Sequence, residues 1–182
     1  FSMFEREDIL NFWFTECKPE QWFKKNERFD QMITNRFSSS FEDALEGKMD
    51  TWENNETGCL ALIIVLDQFA RNIFRDTPRA FAGDSKALDL SKACCDKNYL
   101  KNPDIHKRLF MLMPMMHSEN LAVQDAALPL FKKLTSERDY EYAEKHREII
   151  ARFGRFPHRN FILDRESTRE ELEFLNKPGS SF

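Results

Sequence analysis

The stretch NERFDQMITNRFSSSFEDALEG, residues 26–47, places Phe29, Ile33, Phe37, Phe41 and Leu45 at intervals of four. That spacing lines five large apolar side chains along one stripe of an α-helix, whereas a strand would need an alternation that is absent. Gly47 marks the helix end, because glycine readily takes the left-handed conformation in which helices terminate. The expected fold class is all-α.

The same period runs through the rest of the chain. DILNFWF near the start reads as another helix, and Pro19 suits the first turn of a short one carrying Trp22 and Phe23. Further helices are expected near 57–74, 84–98, 103–113, 119–134, 137–153 and 168–176, with Pro103 at a start. Pro114 and Pro129 each lack a backbone donor and are expected to kink or end a helix nearby. Ser167 or Thr168, followed three residues later by Glu170 or Glu171, forms a capping-box signal for the last helix. Short connections predict about eight helices stacked as antiparallel hairpins. With no internal repeat or low-complexity linker visible, residues 3–182 read as a single helical domain. Phe1 and Ser2 read as added residues ahead of a natural start at Met3.

Composition narrows the class of protein. Eighteen phenylalanines and three tryptophans supply a large core to a chain of 182 residues. A net charge of −4 argues against a general nucleic-acid binder. Cysteines 17, 59, 94 and 95 have no CxxC spacing, so a reducing, cytoplasmic setting without disulfides is expected, with Cys94 and Cys95 as packing residues. The longest apolar run, CLALIIVL at 59–66, is far too short to span a bilayer and reads as a core helix, so no membrane is expected.

Three polar clusters are candidates for chemistry. In CLALIIVLDQFARNIFR, residues 59–75, a helix apolar on every side becomes polar at Asp67, Gln68, Arg71, Asn72 and Arg75. On an ideal helical wheel these five share one face, and Asp67 can fix Arg71 at i, i+4 so that its planar fork meets an anion. In MMHSEN, His117 and Glu119 have the composition of a general acid/base pair, while Ser118 could simply cap the next helix. The His-x-Glu of a zinc deaminase lacks its PCxxC partner, and no metal or cofactor is expected. In RFGRFPHRN, residues 152–160, Arg155, His158 and Arg159 follow a helix that Gly154 ends. From Lys145 to Arg165 six Lys or Arg oppose two acids, an excess that favours anions locally.

LDQFARNIFRDTPRAFAGD, HSENLAVQ and HREIIARFGRFPHRNFILDRESTREELEFL, with PGSSF after them and ILNFWF near the start, resemble the bacterial domain-of-unknown-function 924 family over nearly the whole chain. The resemblance implies an all-helical, tetratricopeptide-repeat-like fold and no established activity. Ala70 stands where the family pattern reads proline, and Asn120 where it reads an acid, which weakens any scheme needing a carboxylate at 120.

The leading expectation is a binding module whose concave face gathers the clusters into one polar pocket for a small anion or a peptide carboxylate. Arg71, Arg155 and Arg159 would hold the anion, Asp67 and Glu119 would orient them, and His117 or His158 would add a donor. Gln68, Asn72 and Arg75 would complete the lining. The alternative is a hydrolase-type enzyme using His117 or His158 as general acid/base, with arginines stabilising a carboxylate or phosphate group; no nucleophile motif is present. The tail is expected to dock Phe182 in an apolar notch, its carboxylate meeting an arginine of the basic segment.

Overall fold

Residues 58–70 are buried without interruption, on every side of a helix, and the other elements surround it. The computed structural model describes residues 4–182; Phe1, Ser2 and the expected start at Met3 lie outside the described residues. Nine helices and no strand are present among the described residues, in keeping with the expected all-α class.

Helix α1 spans residues 6–16, its α-helical part Arg6–Asn11 closing into a π-helical turn, Phe12–Glu16. Short α2, Pro19–Trp22, begins on its proline. Helix α3 is Glu27–Leu45, capped by the Asn26 side chain. Helix α4, residues 56–73, runs from Glu56–Ile63 through the π-helical segment Ile64–Phe69 to Ala70–Ile73. Then come α5, Asp84–Asp96; α6, Ile105–Met116; α7, Leu121–Leu134; α8, Glu137–Phe153; and α9, Arg169–Leu175. From α3 to α8 each helix packs on the next, and α1 also packs on α4.

The four-residue stripe behaves as its spacing requires. Phe29, Ile33, Phe37 and Phe41 are buried, and the Phe37 ring stacks on Phe69 of α4 at 4.7 Å between centroids. Burying such rings is worth about 1.5–3 kcal/mol apiece, so the α3–α4 interface is a principal source of stability. Cys94 of α5 packs its thiol 3.6 Å from that of Cys59 on α4, inside the same core.

Neither internal proline ends its helix on the spot. Pro114 lies within α6, which continues to Met116, and Pro129 lies within α7. Residues 109–116 of α6 are all buried, so tertiary packing outweighs the missing hydrogen bond. Pro129 is exposed, as is Asp125, whose carbonyl loses its i+4 donor, and water can satisfy it there.

Close approach fixes the start of α5. A Cβ on Gly83 would fall 2.3 Å from the backbone oxygen of Leu66, so only glycine lets this backbone touch α4 one residue ahead of Asp67. That contact brings Asp84 alongside the polar half of α4.

Candidate functional site

Asp67 lies in the π-helical segment of α4 and is completely buried. Bonding from i to i+5 widens the turn, so the ideal wheel overstates the convergence of the five polar residues. Asp67, Gln68 and Arg71 remain together: Gln68 Nε2 donates to Asp67 Oδ2 at 2.8 Å, and Arg71 NH1 lies 3.3 Å from Asp67 Oδ1. Asn72 and Arg75 instead turn to Asp30 of α3, Asn72 Nδ2 at 2.9 Å and Arg75 Nε at 2.6 Å. These two leave the expected anion site because a nearer carboxylate satisfies them.

His117, at the end of α6, places Nδ1 2.7 Å from Asp67 Oδ1. Burial would raise the Asp67 carboxyl, but His117, Arg71 and Gln68 outweigh it and hold it at about 2. Burial and the neighbouring Arg71 cation push His117 below its usual value, against the pull of Asp67. At neutral pH Asp67 is therefore ionised and His117 neutral. A carboxylate can only accept, so Nδ1 carries the proton and Nε2 keeps a lone pair.

Arg71 does not hold out a free fork. NH1 and NH2 donate to the two oxygens of Asp84 at 2.7 and 3.0 Å, and NH1 also bonds the Asp67 backbone oxygen at 2.9 Å. Arg155 likewise spends its fork on Glu171 at 2.9 and 2.7 Å and on the Glu166 carbonyl. Glu171 is also the capping-box residue of α9 with Thr168, and the Arg155 bond holds its carboxyl at about 2. Arg155 thus ties α9 to the preceding turn and stands outside the cluster at His117.

Glu119 is not the partner of His117. Arg165 grips it with NH1 at 2.9 Å and NH2 at 3.1 Å, and Phe156 N donates to it at 2.6 Å. Burial would raise its carboxyl, but these donors hold it below the usual range. Ser118 does not cap α7; Asn120 does, accepting from Val123 N, so the uncharged residue at 120 has a helix-capping role.

Arg159 is the exception among the arginines. Only 7% exposed, its guanidinium lies between the rings of Phe81 and Phe156, 4.5 and 4.7 Å from their centroids. NH2 donates to the His117 carbonyl at 3.0 Å, Asp84 Oδ2 stands 3.9 Å from NH1, and buried Nε has no protein acceptor. Burial, with repulsion from Arg71, lowers its ordinarily very high value to about 10.

Beyond Phe156 lies a second set of rings. His146 meets Phe156 edge-on at 5.5 Å and stacks on Phe182 at 3.8 Å, while His158 approaches the Phe182 edge at 5.8 Å. Burial pushes His146 to about 3 and His158 to about 4, so both are neutral at pH 7. Phe182 does dock, but on imidazoles rather than in an apolar notch, and it stays 49% exposed. Of the basic segment's arginines, Arg155, Arg165, Arg159 and Arg147 are drawn to Glu171, Glu119, Asp84 and Asp125, and Arg152 lies over the Phe153 ring.

Asp67, Gln68, Arg71, His117 and Arg159 therefore converge, with His158 one ring away, whereas Asn72, Arg75, Arg155 and Glu119 are engaged elsewhere. Asp84, Phe81 and His146 were not identified from sequence, while Phe156 and Arg165 stood out only as members of the aromatic, basic segment without the partners they have here. Asp84 had one local signal, an acid in the first turn of α5, but helix-end electrostatics account for it equally well.

A family model described as a bacterial protein of unknown function (DUF924) matches residues 9–179. The solved structure of a protein of unknown function, ATU0120 from Agrobacterium tumefaciens, is similar at 36% identity with a TM-score of 0.89, covering 94% of this chain and 96% of that one. No curated protein matches the chain. Among the described residues, no helix is long and apolar enough to cross a membrane.

Proposed function

The chain belongs to the bacterial DUF924 family, whose function is unknown, and from that premise we propose that it is a cytoplasmic binding module of tetratricopeptide-repeat-like hairpins that captures a carboxylate or phosphate group at Arg159. One observation carries this reading: Arg159 is a buried cation whose Nε has no protein acceptor and whose closest carboxylate, 3.9 Å away, is already gripped by Arg71. A desolvated guanidinium that lacks a full partner is costly, and an anionic oxygen at Nε would supply the missing bond. Neutral His117 and His158 flank it without adding positive charge of their own.

The experiment is thermal unfolding in phosphate, succinate and chloride at matched ionic strength. A ligand that binds only the native state stabilises it by RT ln(1 + [L]/Kd), whereas screening does not discriminate among anions of equal ionic strength. Phosphate or succinate should raise Tm above chloride, and Arg159→Gln should remove the difference. A response unchanged in Arg159→Gln would place anion binding elsewhere.

The Asp67–His117 bond favours a second reading, hydrolysis with His117 Nε2 as general base toward water. The buried carboxylate would fix the tautomer and stabilise the imidazolium formed in the reaction. Release of p-nitrophenol from anionic aryl esters or phosphates, lost in His117→Gln, would support it; no turnover across such a panel would leave the binding role.

A further inference from the structure

The same Arg159 site is bordered by a slot of uncharged rings whose outer position is taken by the chain's own Phe182. Phe156 has the Arg159 guanidinium 4.7 Å from its ring and His146 at 5.5 Å. His146 and His158 together receive the Phe182 ring, one by stacking and the other edge-on. His146 is anchored by Nδ1 against the Tyr142 carbonyl at 2.7 Å, a restraint that does not involve Phe182. Phe182 itself is held by less, being half-exposed and three residues beyond Gly179, which takes the left-handed φ of 78°. The slot thus has an inner wall held by its own hydrogen bond and a half-exposed outer occupant, anchored two residues earlier where Ser180 Oγ donates to the Leu175 carbonyl at 3.2 Å.

We propose that this slot is the second half of the anion site and takes the aromatic ring of the ligand in place of Phe182, so that the ligand class is an aromatic carboxylate. The inference rests on the anion reading of Arg159. A carboxylate at Arg159 Nε and a ring on His146 require an anion and an aromatic group in one ligand, as in an aryl-alkyl acid or a chain ending in an aromatic residue. Neutral imidazoles suit this role, since they stack on a phenyl ring without repelling or neutralising the acid beside it.

The test is titration of propionate and 3-phenylpropionate, followed by the ring-proton shifts of His146 and His158 and by heat. The proteins are the full chain, Phe182→Ala, Phe182→Ala with His146→Ala, and Arg159→Gln. In Phe182→Ala, 3-phenylpropionate should bind about tenfold more tightly than propionate, the scale of one stacked ring. The intact chain should show a smaller preference, because Phe182 competes. Removing His146 as well should abolish the preference while propionate binding persists. If 3-phenylpropionate binds Phe182→Ala no better than propionate does, the aromatic slot is refuted and the anion site stands. If neither acid binds in an Arg159-dependent way, the anion reading fails and the slot with it.

Discussion

His117 Nδ1 and Asp67 Oδ1 meet at 2.7 Å across the α4–α6 interface, the carboxylate being completely buried. The bond fixes which imidazole nitrogen is protonated. Nitrogen NMR should therefore report a neutral His117 with its proton on Nδ1 at pH 7. In Asp67→Asn the favourable charge is lost while burial and Arg71 remain, so His117 should titrate at still lower pH. A proton on Nε2 in the wild-type protein would contradict the assignment.

Arg71 serves two carboxylates, Asp67 and Asp84, at the edge of the core. Arg71→Ala leaves Asp67 buried with only neutral partners, and breaking a buried pair in this way typically costs about 3–5 kcal/mol. Urea unfolding should show a loss of that order. Arg71→Lys should recover only part of it, since an ammonium cannot make the two parallel bonds to Asp84. A loss of about 1 kcal/mol or less for Arg71→Ala would mean that solvent screens the cluster.

Acid should destabilise the protein well before its carboxylates titrate. His146 is held near 3 when folded but returns to about 6.5 when unfolded, so between these limits the unfolded chain binds the extra proton. The stability this histidine contributes is complete above pH 6.5 and is lost as pH falls toward 3, at up to about 1.4 kcal/mol per pH unit. His158, near 4, acts in the same direction over a narrower window. Asp67 acts lower still, its contribution being present above about pH 4 and lost as pH falls through 2. Urea midpoints between pH 4 and 6.5 should fall more gently in His146→Gln than in the wild type; equal slopes would remove His146 from the account.

Gly83→Ala should be among the most damaging single-methyl substitutions in the chain. The new Cβ would overlap the Leu66 backbone oxygen at 2.3 Å, and neither atom belongs to a flexible side chain that could swing away. Stability should fall by about 1–3 kcal/mol or more. Because α5 must then retreat from α4, the anion response at Arg159 should weaken along with the Asp84–Arg71 pair. Normal stability with a normal anion response would show that the close contact is dispensable.

Periodicity alone made the helices legible, because the apolar spacing that makes a stripe is the spacing that buries it; the expected 137–153 matches Glu137–Phe153, and Thr168 with Glu171 forms the expected capping box. Pro114 and Pro129 mark the limit of local reasoning: a missing donor is a local fact, but whether the helix survives it depends on the packing of α6 and on the solvent beside α7. The site divides along the same line. Asp67, Arg71, His117 and Arg159 stood out as polar side chains next to apolar runs. Residue type carries charge, however, and not the identity of the partner. Arg155 and Arg159, four residues apart in one basic segment, differ because the fold sets Glu171 against the first and puts the second between two phenylalanines with an acceptor missing. Sequence determined that cations would gather there; the tertiary structure decided which were already neutralised, since pairing depends on distances of a few ångströms that only the packing of α4, α5 and the turn after α8 defines.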